Sequence, residues 1–141
     1  MDAPCVCRCV GSMLLKGQVG EMTKSILLAG VGGQGIILVS TILTEGLLKL
    51  KFDVKMSEIH GMAQRGGSVN THIRFGNKVN SPVISKGGSD LFIAFEKLEA
   101  VRYIQYLKPG GTLILNDHEI YSLPILTGRA KYPEAIIEKL E

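Results

Sequence analysis

The chain has few of the residues that announce a function directly. All three of its cysteines, Cys5, Cys7 and Cys9, fall in the first nine of 141 residues. Three is an odd number, and the C-x-C-x-C spacing makes no disulfide framework and matches no C-x-x-C-x-x-C cluster run. His60, His72 and His118 are dispersed, so no metal-ligand spacing forms. No nucleophile–base set and no adjacent pair of carboxylates stands out. Aromatic residues make up 6% and are scattered, and the net charge of +3 comes without a Lys/Arg run. A base-stacking platform and a nucleic-acid footprint are both missing. No apolar run approaches the roughly 18–20 residues of a membrane span, and the stretch 10–15, VGSMLL, is shorter than the ~7–15 apolar residues of a signal-peptide core. The expectation is a soluble cytoplasmic protein with no membrane and no nucleic-acid partner. With 45% hydrophobic and 21% charged residues, one domain with a buried core is expected.

What is present is glycine, in two loops. SILLAG, residues 25–30, is an apolar run that suits a strand buried on both faces. GVGGQG at 30–35 follows it. A helix is predicted from Gln34 to about Leu50: Ile36, Val39, Leu43, Leu47 and Leu50 recur at three- and four-residue spacing, and Ile37, Leu38, Ile42 and Leu48 widen the stripe, so the helix is expected to be largely buried. FDVKMSE, 52–58, alternates like a half-buried strand, which completes a βαβ unit. A second glycine loop, GMAQRGG at 61–67, precedes SVNTHIRFG. There Val69, Thr71, Ile73 and Phe75 oppose Ser68, Asn70, His72 and Arg74, and the polar set could line a site, form an interface or face solvent. GNK at 76–78 predicts a turn into VNSPVIS and a possible antiparallel hairpin. DLFIAFE reads as another buried strand. A helix from Lys97 to Leu107 should end at Pro109-Gly110-Gly111, with TLILND as the next strand. Pro133 can open a closing helix.

Residues 1–21 show no sustained periodicity, and the domain is expected to start at Met22, with an unstructured or non-native extension before it. The closing helix has an apolar stripe, Ile136, Ile137 and Leu140, with no strand after it. The 22–141 domain is therefore expected to be incomplete at its C-terminus, with an exposed sheet edge and poor solubility alone.

The chemistry of the loops is that of anion binding. Gly30-Val31-Gly32-Gly33-Gln34-Gly35 satisfies G-x-G-x-x-G between a strand and a helix, so backbone N–H groups and a helix N-terminus can approach a phosphate. The same loop could serve only close helix–strand packing. For a dinucleotide an acidic residue should end the second strand, and Glu58 is placed for that. LKPGGTLIL also occurs in methyltransferases. Neither reading accounts for the second loop, where Gly61, Gly66 and Gly67 can lie against a ligand and Arg65 carries a planar, permanently charged fork for phosphate or carboxylate. Both loops should emerge at the carboxyl edge of the strands. His60 is an acid–base candidate and Arg65 a charge-stabilising one, and each could equally be a locally bonded or solvated loop residue.

GVGGQGIILVSTILTEG, SEIHGMAQRGGSVNTHIRFG, VNSPVI and GGSDLFIAFEKLEAVRYIQYLKPGGTLILN, in that order, resemble the gamma-type domain of the 2-oxoacid:ferredoxin oxidoreductase family. The likeness runs from Thr23 to the C-terminus, and PILTGRAKYPEAIIEKL favours the beta-type subunit of the indolepyruvate branch. The resemblance implies an α/β, Rossmann-like three-layer domain with a mostly parallel sheet plus a β-hairpin insertion. It implies a non-autonomous subunit paired with a large alpha subunit that carries thiamine diphosphate and iron–sulfur clusters. The pair would decarboxylate an arylpyruvate to an acyl-CoA and pass electrons to ferredoxin. It assigns Gly30, Gly32, Gly33, Gln34, Gly35, Gly61, Gln64, Arg65, Gly66 and Gly67 to a site shared with the alpha subunit, where each could touch coenzyme A, the thiamine cofactor or that subunit, with coenzyme A at the shared site, no cofactor held tightly and no metal bound by this chain alone. The rival readings are an autonomous NAD- or SAM-binding enzyme and a non-catalytic nucleotide-sensing module.

Overall fold

The computed structural model describes residues 23–61, 66–121, 123–129, 131–133 and 136–140. The expected extension, 1–21, lies outside them, as do Gln64 and Arg65. The apolar run at the start of the domain becomes β1, Lys24–Val31, of which all but the first residue is buried. Helix α1, Ile36–Lys49, follows the glycine turn. The remaining strands are β2, Asp53–His60, β3, Ser68–Gly76, β4, Ser89–Ala94, and β5, Leu107–Leu115. Between the last two lie α2, Lys97–Tyr103, and a 3-10 turn, Ile104–Tyr106. Two short helices, α3 at Leu123–Leu126 and α4 at Ile136–Leu140, come after the sheet.

The five strands form one sheet in the order β2-β3-β1-β4-β5. β1 pairs parallel with β4, and β4 with β5; β3 pairs antiparallel with both β1 and β2. Four strands therefore run one way and β3 alone runs back. The βαβ unit of β1, α1 and β2 keeps its direction, but β3 is inserted between its two strands. The hairpin is β2–β3, closed by the 61–67 loop. It is not the expected pairing of 68–76 with 79–85, a segment without strand structure that runs over the sheet and buries Val79 and Ile84. The ladder needs only N–H and C=O groups in register, and β2 supplies them opposite β3 from Asp53 to His60, whereas the 79–85 segment contains Pro82, which has no N–H to donate.

Alternation across the strands divides the core into two layers. Ile26, Leu28, Val69, Ile73 and Leu91 pack with Ile36 and Leu47 of α1. On the other face, Leu27, Ala29, Phe92 and Ala94 pack with Ala100 of α2 and with Ile84. The three-layer α/β expectation holds.

Helix α1 is less buried than its apolar stripe predicts. Ile36, Ser40 and Leu47 are buried, whereas Ile37, Leu38, Ile42 and Leu48 are 49–64% exposed. A single helix on a sheet covers one stripe, and the residues that widen it point outward. Helix α2 is shorter than its period predicts. It passes into the 3-10 turn at Ile104, and Leu107 already belongs to β5. Pro109-Gly110-Gly111 lies within β5 as an irregularity, where Ser89 pairs with Leu107 but Leu91 with Thr112. Gly110 takes a φ of 74° there, a left-handed conformation that glycine adopts without strain.

The polar face of β3 is neither a solvent face nor an open site. Asn70 and His72 are buried. Ser68 Oγ donates to Glu99 Oε2 at 2.5 Å, and Asn70 Nδ2 donates to Tyr103 Oη at 2.8 Å. His72 Nδ1 accepts from the Ile84 N–H at 3.1 Å, so Nε2 carries the proton toward Asn70 Oδ1, also 3.1 Å away. Burial holds the His72 pKa below its ordinary value. The unfolded chain protonates this ring near pH 6.5, and the folded one only at lower pH. Stability from this group is thus intact above about pH 6.5 and declines as pH falls below it, by at most about 1.4 kcal/mol per pH unit. Urea melts at pH 7.5 and 5.5 should show the decline, and His72→Gln should flatten it. Equal slopes in the two proteins would exclude His72 as its source.

On the opposite face, Thr71 Oγ1 is buried without a hydrogen-bond partner. An orphaned hydroxyl costs about 1–3 kcal/mol. Thr71→Val, nearly the same shape, is expected to raise stability by about 1 kcal/mol in urea denaturation, and a loss of stability would show that the hydroxyl is satisfied.

Candidate functional site

β1, β2, β4 and β5 all end at one edge of the sheet, and β3 starts there. Their connections gather at that edge, where open α/β sheets bind ligands. The two glycine loops meet at this edge. Gly32 N–H donates to the Gly67 carbonyl at 2.9 Å, and Gly66 N–H reaches the Gly32 carbonyl at 3.5 Å. This extends the β1–β3 register, in which Val31 stands opposite Ser68, by one more pair. Gly61, at the other end of the second loop, donates to the Ser68 carbonyl at 3.2 Å. The turn is thus tied by backbone bonds to the described end of the second loop, and that loop's other end to β3.

Beside it opens a cleft of about 760 Å³, lined by Gly32, Gly33, Gly35, Ile36, Ile37, Leu38, Thr41, His60 and Val69. Gly33 and Gly35 have φ of 103° and 79°, and Gly35 caps α1 with no side chain over the helix end. The amides of Gly33, Gly35 and the first turn of α1 have no hydrogen-bond partner among the described residues. Free amides at a helix N-terminus attract an anion. The walls are otherwise apolar, from Ile37, Leu38 and Val69. This suits a ligand with a charged end and a less polar body.

Of the expected site residues, Gly32, Gly33 and Gly35 line this cleft, and Gly61, Gly66 and Gly67 stand in the loop docked beside it. Gly30 lies deeper, and Gln34 is engaged internally, its carboxamide bonded to the chain on both sides. His60 reaches the cleft wall, with Nε2 3.5 Å from Glu58 Oε2. Sequence reasoning missed Ile37, Leu38 and Thr41 as cleft residues, because two of them continue an apolar stripe. It also missed the support beneath the second loop. Ser68, next to Gly67, is held by Glu99 and lies 3.1 Å from Tyr103 Oη. Burial pushes the Glu99 carboxyl up, against the pull of the Ser68 hydroxyl and Arg102. The i, i+4 pair of Glu99 and Tyr103 on α2 was the available signal.

Glu58 is poorly placed for a ribose. It sits on β2, separated from β1 by β3, so about 10 Å of sheet lies between it and the turn. Its oxygens lie near Ser40 and His60. Among the described residues no cluster of three potential metal ligands occurs, and no helix is long and apolar enough to cross a membrane.

Fold and cleft define a doubly wound α/β domain with paired glycine loops at its ligand edge. Residues 25–139 match the model of the family described as pyruvate ferredoxin/flavodoxin oxidoreductase, and the chain belongs to that family. It is 43% identical over 113 residues to indolepyruvate oxidoreductase subunit IorB of Archaeoglobus fulgidus, covering 80% of this chain and 56% of that protein. To the protein of the same name in Methanothermobacter thermautotrophicus it is 44% identical over 122 residues, covering 85% and 62%. The chain thus spans little more than half the length of these curated relatives. The gamma subunit of a keto/oxoacid ferredoxin oxidoreductase from Geobacter sulfurreducens superposes with a TM-score of 0.53 at 26% identity, over 66% of this chain and 50% of that one. A 2-oxoglutarate:ferredoxin oxidoreductase from Magnetococcus marinus, solved with 2-oxoglutarate, coenzyme A and succinyl-CoA bound, shares the fold. Its TM-score is 0.58 at 18% identity, over 79% of this chain and 18% of that one.

Proposed function

We propose that this chain serves as the beta-type subunit of an indolepyruvate:ferredoxin oxidoreductase, inactive alone and working in the cytoplasm. Its partner is a large alpha subunit carrying thiamine diphosphate and iron–sulfur clusters. Together they convert an arylpyruvate and coenzyme A to an acyl-CoA and CO2, with the electron pair passed to ferredoxin. The thiamine cofactor of the partner supplies the electron sink for decarboxylation. This chain contributes a binding edge. The open amides of Gly33 and Gly35 and the start of α1 hold a phosphate of coenzyme A, Arg65 adds charge from the second loop, and the apolar walls exclude water from the less polar arm. Gly30, Gly32, Gly61, Gln64, Gly66 and Gly67 complete that shared edge.

The observation that carries the reading is the docking of one glycine loop on the other through Gly32 and Gly67, in a chain 40–44% identical to proteins named as indolepyruvate oxidoreductase subunits. An autonomous NAD enzyme has less support, since the acid expected beside the turn is displaced by β3.

Co-expression with the large subunit should yield a complex that oxidises indolepyruvate only when coenzyme A is present. In that complex Arg65→Glu should raise the KM for coenzyme A about 10- to 100-fold, as expected for the loss of a charge-assisted bond, while the melting temperature changes little. Micromolar binding of NAD or SAM by the chain alone would overturn the proposal.

A further inference from the structure

The turn after β1 matches the dinucleotide glycine pattern letter by letter, but its groups are engaged differently. In that pattern the second glycine lets the backbone approach a pyrophosphate lying across the end of the first strand. Here both polar groups of Gly32 face the hairpin: its N–H bonds Gly67 and its carbonyl accepts from Gly66. The first glycine, Gly30, makes room for a side chain. A Cβ there would lie 2.7 Å from Gln34 Oε1, 2.8 Å from Ile36 Cδ1 and 2.9 Å from Phe95 Cβ. Gln34 fills that space and bridges it. Its Oε1 accepts from the Val31 N–H at 2.7 Å, and its Nε2 donates to the Phe95 carbonyl at 2.9 Å. Its own N–H is bonded to the Val31 carbonyl at 3.1 Å.

Val31 ends β1, and Phe95 follows β4. These two parallel neighbours flank the point where chain connections leave for opposite sides of the sheet. That crevice is where a doubly wound sheet ordinarily takes its ligand. In this chain a carboxamide is bonded across it.

We infer that Gln34 is a positioning residue that closes the β1/β4 crevice and fixes the 30–35 turn, so that its free amides serve the cleft between α1 and β3. It touches no ligand itself. Phe95 N–H bonds the Ala29 carbonyl at 2.8 Å, so the bridge is anchored on both strands and movement at either end would displace Gly33 and Gly35. The ligand named, coenzyme A, rests on the functional reading above; the bridge rests on this chain's own bonds.

Two measurements test it, using Gln34→Met, of similar length without the bonds, and Gln34→Glu. In the full chain, hydrogen exchange of the Val31 amide should accelerate at least tenfold in Gln34→Met. Unchanged protection would overturn the bridge. In the complex with the large subunit, Gln34→Met should raise the KM for coenzyme A about tenfold, with a much smaller change in kcat and none in the KM for the 2-oxoacid. A wild-type KM alongside lost Val31 protection would overturn the positioning role. Gln34→Glu sets a carboxylate against the Phe95 carbonyl, and only its protonated form can donate there. Its KM should therefore approach the wild-type value as pH falls, a profile that a merely structural role would not produce. If wild-type turnover proves independent of coenzyme A, the functional reading and the named ligand fall, while the Val31 exchange still decides the bridge.

Discussion

Phe92→Ala is expected to remove about 3–5 kcal/mol of stability, a large part of the roughly 5–15 kcal/mol that holds a domain of this kind together. Phe92 is fully buried. It stands in register between Leu27 of β1 and Leu113 of β5, under α2. Truncation removes the ring from the centre of that layer, and the flanking strands are fixed by their ladders and cannot collapse inward. Urea denaturation should show the midpoint fall with the slope unchanged. Ile42→Ala is the matched control. Its side chain is 60% exposed, so truncation in the isolated chain should cost no more than about 0.5 kcal/mol. A loss below about 1 kcal/mol at Phe92, or a comparable loss at Ile42, would contradict the layer assignment.

Gly30→Ala and Gly46→Ala make the same chemical change with opposite expected signs. At Gly30 the new methyl meets three atoms closer than 3 Å. The Gln34 amide and Ile36 Cδ1 are ends of side chains and can swing away. Phe95 Cβ is attached directly to the backbone after β4 and cannot. Relief requires expelling Gln34 from the crevice or moving the strand ends apart. The expected outcome is a loss of about 1–3 kcal/mol, with a severalfold or larger loss of coenzyme A-dependent turnover in the complex. At Gly46, inside α1, nothing lies within 4 Å of the added carbon. Alanine there should stabilise the chain by about 0.5–1 kcal/mol through helix propensity. Thermal melts of both variants check the pair, and a neutral Gly30→Ala would mean that Gln34 does not occupy the crevice.

The local codes in this chain were legible and the partnerships were not. SILLAG reads as a buried strand because every residue is apolar or small, and β1 is one. The stripe from Ile36 to Leu47 reads as a helix for the same local reason. The exposure of Ile37 and Leu38 is not legible there, because an apolar side chain says that burial is favourable, and nothing about whether a neighbour is present to provide it. The 68–76 strand was legible as a strand, but its partner was not. Hairpin pairing is decided by which edge is free, and β2 and β1 each offered one. The alternation of Ser68, Asn70, His72 and Arg74 likewise marks a second face. That this face lies beneath α2, with Asn70 satisfied by Tyr103 and His72 by Ile84, depends on residues 12 to 33 positions away.

By itself the amino-acid order determined the α/β class, the two glycine loops and their presence at the carboxyl edge of the strands. These follow from periodicity, from apolar runs and from the conformations that glycine permits, all of which act over a few residues. Tertiary structure alone decided that β3 enters between β1 and β2, that Gly67 docks on Gly32, and that Gln34 bridges Val31 to Phe95. Each of those is a bond between segments distant in sequence. Its existence depends on how the whole sheet satisfies its backbone groups together, which no short window of sequence contains.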